Sequence, residues 1–375
     1  MVGASLEERD RRWLNIRRAL EQSGLQGLLV VSDAQLERRG SVRYVSNVGG
    51  TGGTLMYRYV LFPLEGQPTA INLRGDPGEW IKDNRKLPLR GGWVPESEPY
   101  APVIAETIKE LKIEKGNIGI EGDFIPAPVY QRLVKELPKA SFKQSNIIHE
   151  LKMVKSPEEL KIVEKGVEMV DKAWETCGEI AGTGKTWNEI SSEACKAMYD
   201  MGMEDIGGFP LPRSTSMIKR GDIFQFYPEP QAPGGYWIQF GRLISFGEPN
   251  KELQDAWKLT MEAQKRGADK LRPGNTGADV MKAINGTLKG TKYTEERRGS
   301  GHGVGLDLLE RPFISLDDET VLKPGMIVAI HTIFSGGASV PLRFVASWNI
   351  HGDMFRVTED EPQKLSKIAP EIKVI

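Results

Sequence analysis

Apolar residues in the first segment fall at Leu6, Trp13, Ile16 and Leu20, separated by charged residues. That near-helical spacing predicts an amphipathic helix over 6–23, with Gly24 as its stop. The run GLLVVS (27–32) is wholly apolar apart from its last residue and reads as a short strand covered on both faces. VRYVSNV (42–48), LMYRYVLFPL (55–64) and PTAINL (68–73) continue with β-rich composition. Helical patterns at about 101–112 and 127–137 alternate with NIGIEG (117–122) and ASFKQS (140–145). The alternation predicts an α/β domain over residues 1–152.

A second domain is expected over 153–375. In LKMVKSPEE, Ser156 is a natural N-cap, Pro157 takes the first helical position and Glu159 completes a capping box. The helix that follows carries Leu160, Val163, Val167, Val170, Trp174 and Cys177 on one face, so Cys177 reads as core packing. Further on, a short pattern occurs twice. GKTWNEI (184–190) is matched by GNTGADV (274–280), and RGDIFQFY (220–227) by PGMIVAIH (324–331). Each copy has the order helix, helix, strand, which predicts an α+β domain with a pseudo-two-fold internal repeat and a site where the halves meet.

Composition narrows the function. The 375 residues carry 50 Lys and Arg against 51 Asp and Glu, a net charge of -1, which lacks the broad basic footprint of a nucleic-acid binder. No apolar run reaches about 18 residues, so no membrane span is expected. The charged N-terminus has no signal-peptide pattern, and two cysteines support no disulfide framework, so a cytoplasmic setting is expected. VGGTGGTL (48–55) has no P-loop lysine and reads as a turn between strands.

Of the four histidines, His302, His331 and His351 lie within the last 74 residues. Imidazole is the side chain best suited to moving protons near neutral pH, and three close in sequence mark a candidate site. His302 stands in GSGHGVGLDLLERP, where glycines allow unusual dihedrals and close approach of a ligand.

These segments resemble the pita-bread family of aminopeptidase P, prolidase, methionine aminopeptidase and creatinase. GLLVVSDAQLERRGSVRYVSNV is similar to its N-terminal creatinase/prolidase-type domain, and LKMVKSPEELKIVEKG to its interdomain segment. KRGDIFQFY, GGYWIQFGRLISFG, GSGHGVGLDLLERP, LKPGMIVAIH and FRVTEDEPQKLS resemble its catalytic motifs in their usual order. The resemblance implies a homodimer, with Tyr57, Tyr59, Trp80 and Trp93 overhanging a partner's site.

The family's metallopeptidases hold two metal ions through two Asp, one His and two Glu. The matching positions here are Tyr227, Gln239, His302, His331 and Gly352, with His351 one residue off the last. A dinuclear Xaa-Pro peptidase is therefore not expected, and neither metal nor other cofactor. Creatinase, the family's metal-independent member, uses a His and two Glu; these fall near Pro210, near Gly241 and on His331, with Arg213 the nearest ionisable group to the first. The expected site is neutral or cationic and binds a small carboxylate-bearing molecule. His302 and His331 act as acid/base pair, Tyr227 and Gln239 donate to an oxyanion, and Arg213 or Arg343 holds the carboxylate. His351 and Glu310 complete the substrate-binding set. The expected reaction is creatinase-like hydrolysis of a C–N bond. The alternatives are a lyase or decarboxylase, an enzyme with one metal on His302, His331 and His351, and a non-catalytic binding protein.

Overall fold

The computed structural model describes residues 3–32, 40–48, 57–73, 78–85, 87, 100–122, 124–182, 184–206, 211, 214–291, 299–332 and 351–375. The chain separates into two compact units, Met1–Lys152 and Met153–Ile375.

The first unit opens with α1 (Leu6–Gln22), capped by the Ser5 hydroxyl, which accepts from the Glu8 N–H. It buries Trp13, Ile16 and Leu20, and the chain turns away through Gly24 at φ +63°. Then come β1 (Gly27–Ser32), α2 (Gly40–Ser46), β2 (Arg58–Pro63), β3 (Thr69–Ile71) and β4 (Asp83–Arg85). The unit continues through α3 (Tyr100–Glu110), β5 (Asn117–Glu121), α4 (Ala127–Glu136), β6 (Ser141–Ser145) and α5 (Ile147–Met153). Its described strands lie in the order β4-β3-β2-β1-β5-β6. β1 is antiparallel to β2 and parallel to β5, and this internal position explains its buried, apolar sequence. Leu29 and Ile118 of the sheet pack against Ile104 and Ile108 of α3 and Val129 and Leu133 of α4.

VRYVSNV corrects a strand expectation, because residues 40–46 form the helix α2. All seven of its residues are buried, so no polar stripe reveals the helical period, and β-branched composition misleads. Tyr59 and Trp80 are also core rather than overhanging side chains: Tyr59 packs on Tyr100, and Trp80 lies against the Arg12 guanidinium. Trp93 and most of VGGTGGTL lie outside the described residues.

The second unit comprises α6 (Pro157–Ile180), α7 (Trp187–Asp200), β7 (Ile223–Phe226), β8 (Arg242–Ser245), α8 (Lys251–Ala268) and α9 (Gly277–Gly286). After these come β9 (Gly301–Gly303), β10 (Glu310–Phe313), β11 (Ile327–Thr332), β12 (His351–Arg356), β13 (Gln363–Lys364) and β14 (Lys373–Val374). The Ser156–Glu159 capping box opens α6 as expected. The internal repeat is equally clear. Thr186 caps α7 with Glu189, and Thr276 caps α9 with Asp279. Gly184 and Gly274 precede these caps, each at φ +88°. A helix pair precedes β7 in one half and, with β9 and β10 intervening, β11 in the other. Two described sheets result, β14-β8-β7 and β10-β9-β11-β12-β13. They meet at an antiparallel bridge between Gly241 and Gly352. The larger sheet carries α8 on one face, where Gln264 donates to the Ile330 carbonyl and Val328, Ile330 and Phe355 join the core. Among the described residues, no helix is long and apolar enough to cross a membrane.

Candidate active site

Strand register decides which side chains meet. On β11 and β12, His331 pairs with Gly352 and Thr332 with His351. Residues directly opposite share a face, and neighbours along a strand alternate. His331 and Gly352 therefore share one face, and His351 lies on the other. His302 pairs with Ala329, two residues before His331, which brings both imidazoles to the same face. Their ring centroids are 5.1 Å apart.

Tyr227 follows β7 directly, and its ring meets His331 edge-on at 6.3 Å. The Tyr227 ring also explains Gly352: a Cβ at 352 would come within 3.1 Å of Tyr227 Cε2. Gln239 reaches the cluster from a hairpin closed by Gly234 and Gly235, at φ +90° and +84°. Its backbone N–H points to Met354 Sδ at 3.1 Å, and the adjoining Gly241 N–H donates to the Gly352 carbonyl at 2.9 Å. Tyr227, Gln239, His302 and His331 are thus brought together.

Glu229 joins them, and the sequence reading missed it. Gln239 Nε2 donates to Glu229 Oε1 at 2.6 Å. The same nitrogen stands 3.3 Å from His302 Nε2, and His302 Nδ1 stands 3.0 Å from the Gly303 carbonyl. A signal for Glu229 was present in Tyr-Pro-Glu-Pro. A residue before proline is pushed into extended backbone, so Tyr227 and Glu229 lie in a locally extended segment. Alternation in such a segment sends both side chains the same way. The expectation of a wholly neutral or cationic site is corrected accordingly. So is oxyanion donation by Gln239, because its nitrogen already serves Glu229 and His302. What remains is Gln239 Oε1, a buried acceptor without a protein partner among the described residues.

Burial governs the electrostatics. Desolvation pushes His302 down to about 4, against smaller upward effects of the Gly303 carbonyl and Glu310. His331 is pushed down to about 3, first by burial and then by the neighbouring His302. Both rings are neutral at physiological pH, and both His331 nitrogens are buried without a partner among the described residues. Tyr227 is held well above its ordinary value, by burial and then by Glu229, so its hydroxyl keeps its proton.

The remaining sequence candidates lie elsewhere. His351 packs edge-on against Trp257 at 5.1 Å, with Asp353 Oδ2 3.8 Å from its Nε2. It faces α8, so it neither binds substrate with the other four nor completes a three-histidine metal site. Among the described residues, no group of three or more His, Cys, Asp or Glu is arranged to hold a metal ion. Glu310 is committed to a buried ion pair with Lys155 at 2.8 Å and accepts from the Asp307 N–H at 3.1 Å. Its carboxylate is thus engaged in an ion pair rather than free as a substrate ligand. Arg213 and Arg343 lie outside the described residues.

Comparison with known proteins gives two family matches: the Creatinase/Prolidase N-terminal domain over residues 12–154 and metallopeptidase family M24 over residues 205–359. The Xaa-Pro dipeptidase of Pyrococcus furiosus is 30% identical over 252 residues, covering 63% of this chain and 72% of that protein. The ectoine hydrolase of Halomonas elongata is 23% identical over 361 residues, covering 85% of this chain and 87% of that one. Among solved structures, the X-Pro aminopeptidase of Thermotoga maritima superposes with a TM-score of 0.78 at 17% identity, over 97% of this chain and 99% of that one. That likeness concerns the pita-bread fold alone.

Proposed function

Starting from the M24 metallopeptidase family, to which this chain belongs, we propose a metal-independent, creatinase-like hydrolase that cleaves a C–N bond of a small carboxylate-bearing molecule. The observation that carries this reading is the donor set. Where the family's metallopeptidases supply four carboxylates and a histidine, this chain has Tyr227, Gln239, His302, His331 and Gly352. Those residues do not fit a paired-ion centre. Bridging two divalent ions needs carboxylate oxygens. A carboxylate side chain at 352 would moreover compete with the Tyr227 ring for space.

The same groups support acid/base chemistry. His331, neutral and unpartnered among the described residues, takes a proton from water. The resulting hydroxide adds to the carbon bonded to the scissile nitrogen. The Tyr227 hydroxyl donates to the oxyanion that forms. Collapse of this adduct breaks the C–N bond, and the leaving nitrogen takes the proton from His331. Arg213 or Arg343 is proposed as the carboxylate clamp. A cytoplasmic homodimer is part of the same proposal, with light scattering as its check on association.

Identity to an Xaa-Pro dipeptidase favours a second reading, dipeptide hydrolysis. One assay separates the two. The full chain is tested on small carboxylated amides and cyclic amidines and on Xaa-Pro dipeptides, with chelator and with added Mn²⁺ or Co²⁺. The proposal expects chelator-resistant turnover of the first group, reduced at least about 100-fold in His331→Ala. Xaa-Pro cleavage that depends on added metal would overturn it.

A further inference from the structure

Hydrogen-bond valence fixes more of this site than distances alone. An ionised carboxylate only accepts. Glu229 Oε1, 2.6 Å from the Gln239 side chain, therefore faces its NH₂ group and sets which way the amide points. The second hydrogen of that NH₂ group is directed at His302 Nε2, 3.3 Å away, which must then carry a lone pair. On the far side of the ring the Gly303 carbonyl, also acceptor-only, stands 3.0 Å from Nδ1, which must then carry the proton. Two constraints from opposite sides of the imidazole agree on one tautomer.

We propose that Glu229 is a positioning residue that acts through Gln239, holding His302 in its Nδ1–H form and leaving His331 as the imidazole that moves the substrate's proton. The same orientation has a consequence for specificity. With both amide hydrogens engaged, Gln239 offers only Oε1, a buried acceptor without a protein partner among the described residues. An acceptor of this kind favours a substrate with an N–H donor and is left unsatisfied by one that lacks it. A secondary amide or an amidine supplies that donor; the proline nitrogen of an Xaa-Pro bond does not. The role given to His331 rests on the hydrolase reading above, whereas the chain Glu229–Gln239–His302 stands without it.

The test is long-range ¹H–¹⁵N NMR on the full chain labelled with ¹⁵N-histidine, tractable because there are four histidines. His302 is assigned by its loss in His302→Gln. The wild-type protein is expected to show His302 as the Nδ1–H tautomer. Glu229→Gln frees the Gln239 amide to turn over, and Gln239→Leu removes the Nε2 contact. Each is expected to shift the His302 tautomer ratio toward Nε2–H by about tenfold, the size of one hydrogen bond. An Nε2–H tautomer in the wild type overturns the proposal, as does an unchanged His302 spectrum in both variants. Far-UV circular dichroism and the other histidine signals report whether each variant is folded. An intact tautomer chain in a protein that hydrolyses no C–N bond would instead retire the hydrolase reading.

Discussion

Neutral buried histidines make the fold sensitive to acid by an amount that can be worked out. The folded-state value of His302 lies at about 4, below the 6.5 of a free histidine, because burial penalises the imidazolium. As pH falls, the unfolded chain takes its proton first. The stability associated with this group is complete above a pH of about 6.5 and is lost as pH falls toward about 4. Between about pH 7 and about pH 5 the difference in proton uptake removes about 2 kcal/mol. That is a large share of a net stability of about 5–15 kcal/mol. Urea unfolding at both pH values measures it, and His302→Gln removes the titrating group while keeping a side chain of similar reach. The expected result is a loss between the two pH values that is smaller in the variant by about 2 kcal/mol. His351 is shifted the same way and remains in both proteins, whereas His331 loses the neighbouring imidazole in the variant, so its own downward shift narrows and adds to the difference in the same direction. Equal losses in wild type and variant would mean that His302 titrates alike in the folded and unfolded chains, against the burial effect described above.

Three further outcomes follow from the packing. Gly352→Glu forces its new side chain against the Tyr227 ring and is expected to cost about 1–3 kcal/mol. Adding Tyr227→Asp should relieve most of that loss, and thermal unfolding of the two single variants and the double variant measures the coupling. Lys155→Met strands the buried Glu310 carboxylate and should cost about 3–5 kcal/mol by urea unfolding, against much less when Glu310→Gln is added. Thr186→Ala and Thr276→Ala each remove an equivalent capping box, and each should lower stability by about 1 kcal/mol.

Much of this arrangement was legible in the sequence, where local chemistry dictates local structure. Ser156, Thr186 and Thr276 announce their helices because a cap and its partner lie three residues apart. The duplicated Gly–x–Thr pattern and the two Gly-led strands exposed the internal repeat for the same reason. β1 was readable because internal strands are apolar throughout. α2 was not, since a short helix buried on all sides has no polar face to show its period. At the site, the resemblance to the pita-bread motifs pointed to Tyr227, Gln239, His302 and His331, four side chains that the strands bring near one another. His351 was misplaced because the strand register, which sets it on the face opposite His331, depends on pairing between distant segments. Glu229 was not legible as a site residue because a lone glutamate between two prolines marks only an extended segment until the fold brings Gln239 against it. The direction of the Gln239 amide could not be read at all, since it depends on a contact with Glu229 and another with a residue 63 positions away.

We propose that this member of a metallopeptidase family works without metal. Elemental analysis by ICP-MS tests it most directly, on the full chain purified without tag or chelator and then equilibrated with Mn²⁺, Co²⁺ and Zn²⁺ before desalting. Metal is expected far below one ion per chain, unchanged in His302→Gln and His331→Ala. Two ions per chain, or one ion lost with His331→Ala, would contradict it.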